Sequence, residues 1–380
     1  LEFKVLLLYL HIPFCHRICP YCSFYKHTPG GTPIGEFVDA LGAEAIGRRG
    51  LQPLLTGLAS AKGLANPFSI YLGGGTPSML SPKHLTTLFT SIRNTFDLSE
   101  TSEITLEANP ATFDLTKAEL FRSLGVTRVS LGIQSFSPHV LETLGREHSP
   151  EEASESVAIL RTAGIPSVNI DLMFSIPGQS LADWESTLRH AVSLKPDHIS
   201  AYNLTYEEDT AFFESLKNGS YAENEDKDAD HYHLAEEILT AAGFDHYETS
   251  NYAQPGHHSQ HNQGYWEGAD YLGLGPSAVS TIGGVREKNI PDTAAYIRQV
   301  RSIGNAIHET EALTPAQRRI ELIALGLRTT RGIPLELLDA ASLEKAKALA
   351  AESLLNIGET RIHLTQLGRP LVDPIAAELI

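Results

Sequence analysis

Six short apolar runs recur through the first 204 residues of this chain, and they restrict its fold more than any other feature. They are Val5–Leu10, Ser69–Leu72, Glu103–Glu107, Arg128–Gln134, Ser167–Met173 and His198–Leu204. Being rich in Ile, Val, Leu and Tyr, they read as strands buried on both faces. Their starts lie about 25 to 65 residues apart, enough for a crossover helix each time. The intervening segments carry helix signals. Ser81-Pro82 opens the one containing Leu85, Leu88 and Ile92, Gly125 closes the one containing Leu120 and Leu124, and Gly164 and Pro166 end a helix over Pro150–Ala163. Six βα units in series predict an α/β fold with a parallel sheet, open or closed into a barrel. Gly73-Gly74-Gly75-Thr76, Glu107, Gln134 and Asp171 gather at the C-terminal ends of these strands, where (β/α) barrels place their active sites.

With 42% hydrophobic and 20% charged residues in 380, the chain is expected to bury a packed core. The net charge is −17 and no Lys/Arg cluster appears, which argues against a nucleic-acid partner and would favour a basic electron-transfer partner. No apolar run reaches about 18 residues, so no segment is expected to span a membrane. The first residues are Leu1-Glu2 with no Met, as in a trimmed chain, and Val5–Leu10 is too short for a signal-peptide core. A cytoplasmic location is expected.

All three cysteines, Cys15, Cys19 and Cys22, fall within eight residues, which excludes a disulfide framework and leaves the thiols free for a metal. Thiolates at this spacing on one loop would hold three irons of a [4Fe–4S] cluster and leave the fourth open to a substrate. The competing reading is zinc with one of His11, His16 or His27, although zinc cysteines usually come as two separated pairs.

Beyond residue 205 the pattern changes. Tyr206–Glu237 holds eleven Asp/Glu against Lys217 and Lys227 and reads as a solvated connection and helix face. Asp245–Thr281 is dense in aromatics, His and Gly and reads as a functional excursion. Gly273-x-Gly275-x-x-Ala278 fits a dinucleotide-binding pattern, but Pro276 interrupts it and no βαβ unit with a suitable acid follows. Thr314-Pro315-Ala316-Gln317 is a capping box that opens a helix through Ile320, Ile323, Ala324 and Leu327. A short helix after Pro334, another over Leu343–Leu355, a turn at Asn356–Gly358 and a strand with Ile362 and Leu364 complete a small α+β, winged-helix-like domain. The eight Lys/Arg and nine Asp/Glu between Glu311 and Ile380 suit packing or a lid better than DNA binding. The expected division is 1–205, 206–312 and 313–380.

Tyr9-Leu10-His11-Ile12-Pro13-Phe14-Cys15 followed by Cys19-Pro20-Tyr21-Cys22 resembles the radical S-adenosylmethionine (SAM) superfamily, in particular its oxygen-independent coproporphyrinogen III oxidase branch. The resemblance implies a partial (β/α)6 barrel and a [4Fe–4S] cluster on Cys15, Cys19 and Cys22. It also implies SAM on the open iron, cleaved by an electron from a reduced flavodoxin- or ferredoxin-type donor. The SAM contacts it implies are Tyr9, Tyr21, Gly74, Gly75, Thr76, Glu107, Gln134, Arg146 and Asp171. Where the coproporphyrinogen oxidases have a fourth Cys, two residues after the third, this chain has Phe24. The Cys-Pro-Tyr-Cys-Ser-Phe form, Tyr247–Ala253, His261-Asn262-Gln263-Gly264-Tyr265-Trp266 and Leu272–Pro276 are similar to the haem chaperone subgroup. That likeness implies haem as cargo and apo-haem proteins as recipients.

The residues support such a cargo independently. His261 offers an axial ligand and Tyr265 and Trp266 offer flat aromatic walls. The alternative is that His261 and Asn262 shape a turn while Tyr265 and Trp266 fill the core. Three functions therefore compete: a haem chaperone, a coproporphyrinogen III oxidase acting on a porphyrin precursor, and a zinc-stabilised scaffold.

Overall fold

A computed structural model describes residues 6–55 and 66–380. Leu1–Val5 lie outside them, and with them the expected start of the first strand. The six expected strands are all present as β1 (Leu6–Ile12), β2 (Pro67–Gly74), β3 (Glu103–Ala108), β4 (Arg128–Gln134), β5 (Ser167–Phe174) and β6 (His198–Asn203). They pair in parallel in chain order. Helices return the chain between them: α1 (Ile34–Leu55), α2 (Pro82–Thr95), α3 (Leu115–Ser123), α4 (Pro138–Thr143), α5 (Pro150–Thr162) and α6 (Leu181–Ser193). Their starts obey local chemistry. Ser81 caps α2 with Pro82 behind it, and Ser149 with Glu152 forms a capping box on α5.

Among the described residues β6 does not pair back to β1, so the barrel is incomplete and both of its edges need partners. Helices α7 (Ala211–Lys217) and α8 (Glu225–Ala241) lead to the hairpin β7 (Asp245–Glu248) and β8 (Asn251–Ala253), and β8 pairs antiparallel with β6. After α9 (Gln260–Trp266), β9 (Asp270–Leu274) pairs in parallel with β1. The meander β10 (Val279–Ile282), β11 (Val285–Asn289) and β12 (Ile307–Ala312), with α10 (Thr293–Ile303) inserted, extends that edge to a sheet of twelve strands.

Buried Glu44 of α1 locks this extension to the barrel. It accepts from Gly275 N–H (2.9 Å), Asn289 Nδ2 (2.7 Å) and the Tyr296 hydroxyl (2.7 Å). Burial pushes its carboxyl pKa up. One continuous apolar core runs from Leu6 to Ala306, and a second lies between Ile323 and Leu379.

That second core belongs to α11 (Pro315–Gly326), β13 (Ile333–Pro334), α12 (Ala340–Ala351), β14 (Leu355–Ile357), β15 (Arg361–Leu364) and α13 (Val372–Leu379). A single 3₁₀ turn at Leu335–Leu337 stands between β13 and α12, and the three strands form a sheet in the order β13-β15-β14. This is the winged-helix arrangement expected. The capping box at Thr314–Gln317 is present. The helix expected over Leu343–Leu355 instead starts at Ala340 on the Asp339 cap and stops at Ala351. Ser353 then takes a left-handed backbone (φ 62°), and Leu355–Ile357, expected as helix end and turn, is a strand.

Glu44→Ala would leave three buried donors unpaired, and we expect it to cost at least about 3 kcal/mol. Tyr296→Phe removes one donor and should cost about 1 kcal/mol. Urea unfolding of the purified variants measures both.

Candidate functional site

The loop after β1 carries the three cysteines and is pinched shut at its base. Cys15 N–H donates to His27 O (3.1 Å) and His27 N–H to Pro13 O (2.8 Å). Phe14, fully buried, packs edge-on against His27 and Phe37 at 5.4 and 5.0 Å. The three thiols are free and half-buried, and burial raises the pKa of Cys15 and Cys22. They line a cavity of about 450 Å³ at the C-terminal ends of the strands.

Ten of the expected SAM and cluster residues besides Cys15 also line it: Cys19, Tyr21, Cys22, Gly74, Gly75, Thr76, Glu107, Gln134, Arg146 and Asp171. Tyr9 does not. It lies below the cavity, where its hydroxyl meets His11 Nδ1 (3.0 Å). His11 Nε2 meets Tyr25 O (2.7 Å), and burial lowers the pKa of His11 to about 4. Both ring nitrogens of His11 are thus engaged in structure.

The Gly73–Thr76 turn is stitched to the cysteine loop. Gly75 N–H donates to Ile12 O and Thr76 N–H to Phe14 O, each at 2.7 Å. A Cβ on Gly74 (φ 101°) would stand 2.5 Å from the His11 ring, and one on Gly75 would stand 2.7 Å from the same two carbonyl oxygens. Glu107 accepts from the Tyr71 hydroxyl (2.8 Å) and Gly74 N–H (3.2 Å). Burial, and then the nearby Asp171 charge, push its pKa up to about 7. Asp171 is held by Ser130 Oγ (3.0 Å) and Asn169 Nδ2 (2.7 Å). Gln134 sits at φ 70° after a bulge at the end of β4, which turns it toward the cavity.

Two of the thiols are joined by a hydrogen-bond chain. Thr76 Oγ1 contacts Cys15 Sγ (3.6 Å) and accepts from Asn109 Nδ2 (3.1 Å). Asn109 Oδ1 accepts from Arg146 Nη2 (2.6 Å), and Arg146 Nη1 reaches Cys19 Sγ (3.6 Å). Arg146 Nε is buried with no partner. Among the described residues no three His, Cys, Asp or Glu side chains gather to hold one metal ion. Thiolates on a single zinc would lie within about 4 Å of one another. Three thiols and a glycine turn lining one cavity, together with the unpartnered Arg146 Nε, fit a cluster with a bound amino-acid-like ligand.

A second cavity, of about 890 Å³, lies beyond Tyr202, which lines both. Its walls include Asn262, Tyr265, Trp266 and Tyr271 from α9 and β9, with Arg286, Arg318 and Glu321 beside them, Arg318 donating to Gly268 O of the α9–β9 turn and Arg286 to Thr281 Oγ1. Glu321 of α11 pairs with Arg286 (2.7 Å) and Arg318 (3.2 Å). His261 is not on this wall. It is 1% exposed, with Nδ1 on Ser69 Oγ (2.9 Å) and its ring between Tyr71 and Tyr265 at 5.1 and 4.9 Å. Burial lowers its pKa to about 3. Buried Glu103 fixes the start of α9 by accepting from Ser259 Oγ, Gln260 N–H and His261 N–H.

The sequence reading passed over Tyr71, Asn109, Tyr202 and Glu248. The signal for two of them was the period-two placement of polar residues inside the apolar runs: Ser69, Tyr71 and Gly73, or His198, Ser200 and Tyr202.

A cavity ringed by Cys-x3-Cys-x2-Cys at the end of a partial (β/α)6 barrel defines a class, and sequence comparison agrees. The Radical SAM superfamily profile matches residues 9–191, and the HemN C-terminal domain profile matches residues 313–371. This is a radical SAM protein. The chain is 38% identical to the heme chaperone HemW of Mycobacterium tuberculosis, across 98% of this chain and 94% of that one. It is 33% identical to the heme chaperone HemW of Bacillus subtilis, across 97% of each. Among solved structures, coproporphyrinogen III oxidase (HemN) from Escherichia coli superposes with a TM-score of 0.83 at 26% identity, over 99% of this chain and 90% of that one. The chain belongs to the heme chaperone HemW family. Its radical SAM domain implies a [4Fe–4S] cluster and SAM.

Two predictions follow from this geometry. Asn109→Ala breaks the link between Thr76 and Arg146, and the reconstituted cluster should lose iron to a chelator about 10- to 100-fold more readily. Glu107 holds its proton to about pH 7 when folded, whereas an unfolded glutamate releases it near about 4.3. Its contribution to folding is thus complete below the lower value and lost as pH rises through the upper one. Glu107→Gln should therefore flatten the fall in melting temperature of the cofactor-free protein between about pH 5 and pH 8.

Proposed function

We propose that this chain carries haem in the second cavity and delivers it to apo-haem proteins, with the cluster and SAM held next door. The observation that carries the reading is the roomy aromatic cavity, with two arginines in its lining, adjoining the three-cysteine cavity in a chain of this family. A porphyrin is flat and apolar with carboxylates at one edge. Tyr265 and Trp266 offer it faces, Asn262 a polar contact, and Arg286 and Arg318 charge-assisted partners for its propionates. In this reading His261 supports Tyr265 from behind and touches no cargo.

In the first cavity, Cys15, Cys19 and Cys22 would ligate three irons. When bound, the cluster and SAM supply an electron, an open coordination site and a sulfonium group. The protein's part is to hold and orient. Glu107 and the Gly73–Thr76 turn would hold the amino group of SAM, and Gln134, Arg146 and Asp171 would complete the wall. A flavodoxin- or ferredoxin-type donor would reach the cluster in the cytoplasm from the side of exposed Ile18 and Phe24. Phe24 stands where a decarboxylase would carry its further cysteine, which weighs against coproporphyrinogen oxidation.

Anaerobic reconstitution followed by haem titration tests the reading. We expect a saturable Soret shift, transfer to an apo-haem protein, and no decarboxylated product from coproporphyrinogen. Trp266→Ala should weaken haem binding about tenfold or more, in line with about 1.5–3 kcal/mol for a large buried apolar side chain. The absence of saturable binding by the unaltered chain would refute the haem cargo.

A further inference from the structure

Three polar atoms around the second cavity are buried and have no hydrogen-bond partner: Glu248 Oε1, Asn251 Oδ1 and Trp266 Nε1. Each such atom costs about 1–3 kcal/mol when left unpaired, and all three belong to residues lining one cavity, where a seated ligand would complete them. Two are acceptors on adjoining strand ends, Glu248 closing β7 and Asn251 opening β8, and both residues are only 2% exposed. Glu248 is the charged one. Its Oε2 accepts from Ser250 N–H (3.3 Å), which fixes the carboxyl, and it makes no ion pair among the described residues. The chain lies down firmly on either side. Glu248 bridges to Thr329, Thr249 N–H donates to Arg328 O (2.8 Å), and Thr330 N–H donates to Tyr247 O (3.1 Å). The carboxyl is thus held on a stiff wall, not on a mobile loop. Burial pushes its pKa up to about 7, against the opposing pull of the Ser250 N–H, the Asn251 amide and the Arg328 charge.

A Lewis acid is what this carboxylate lacks. His261, the residue whose type most suggests an iron ligand, has Nδ1 engaged by Ser69, and although its Nε2 is also buried without a partner, the ring lies against Tyr265 and does not line the second cavity. We propose that Glu248 is the axial oxygen ligand of the ferric iron when the second cavity holds haem, an inference that rests on haem being the cargo. The carboxylate donates a lone pair to Fe(III), the water or halide on that axial position leaves, and no electron is transferred. An anionic oxygen donor is an accepted haem ligand in the form of tyrosinate, and Glu248 offers the same hard donor inside a dry wall.

The test titrates the cluster-loaded full chain with ferric haem and, separately, with metal-free protoporphyrin IX, for the unaltered protein, Glu248→Gln and His261→Ala. Expected for Glu248→Gln is an affinity for ferric haem lower by tenfold or more and an altered ferric absorption and spin-resonance signature, with affinity for the metal-free ring within about twofold. That last measurement also reports that the variant cavity is folded. The proposal is overturned if Glu248→Gln keeps the original ferric spectrum and affinity, or if it loses both ligands equally, which would give Glu248 a structural or pyrrole-binding role. It is also overturned if His261→Ala alone removes the ferric signature. If the unaltered protein binds neither ring, the haem reading itself falls, a result distinct from all the others.

Discussion

The site depends on one chain of hydrogen bonds, from Cys15 through Thr76, Asn109 and Arg146 to Cys19. It ties the loop after β1 to the ends of β2, β3 and β4, so that residues from four separate parts of the sequence move as one. Cysteines on a loop are otherwise free to wander, and a three-thiolate site whose ligands wander cannot hold irons in a fixed frame. Here the loop is fixed twice. Its base is closed by the backbone bonds between Pro13–Cys15 and His27, and its tip is fixed by side chains from the barrel. Arg146 adds a second function, since its buried guanidinium places a positive charge beside the Cys19 sulfur. The Gly74 and Gly75 positions belong to the same constraint. The His11 ring and the Ile12 and Phe14 carbonyl oxygens stand where their Cβ atoms would be.

The six parallel strands were legible because a strand covered on both faces must be apolar throughout, and few other segments are. Arg128–Gln134 was read to the residue. What the reading missed is that one of those faces is the barrel lumen. Tyr9 and His11, Ser69 and Tyr71, Thr105 and Glu107, Arg128 and Ser130, Asn169 and Asp171, and His198 and Ser200 alternate with apolar neighbours and point to one side. They form a linked polar interior, in which Asn169 Nδ2 reaches Ser130, Asp171 and Ser200 while His198 reaches Asn169 Oδ1 and the Tyr247 hydroxyl. A window that only scores hydrophobicity averages this stripe away.

Elsewhere the sequence carried too little local signal. The strands β11 and β12 contain Arg286, Glu287, Lys288, His308, Glu309 and Glu311, and β12 is an exposed edge, so nothing apolar marks them. The long helix α1 contains Gly42, Gly47, Gly50 and Pro53, which in isolation argue against a helix. Its inner face is recognisable only once Phe37, Leu41 and Glu44 are seen against α2, α10 and β9. His261 shows how the same residues serve packing. Its type and neighbours suggested a ligand, yet the density of aromatics around it reflects the packing of α9 onto β1 and β2, where a Cβ on Gly264 would stand 2.7 Å from Leu7.

An incomplete barrel has two unpaired edges, and covering them brought the second cavity into being. Strand β8 closes the β6 edge and β9 closes the β1 edge, each delivering the residues next to it. With β8 come Glu248 and Asn251. With β9 come Tyr265, Trp266 and Tyr271. Helix α11 then seals the gap between the two additions, bringing Arg318 and Glu321 into the cavity lining beside the end of α9. The cavity is therefore the seam between two edge repairs, and this accounts for its position. Tyr202, at the end of the last parallel strand, faces the cysteine cavity and the seam alike, because β6 is where the parallel sheet stops and the repair begins. The second cavity thus arises from the same feature that left the barrel open beside the first.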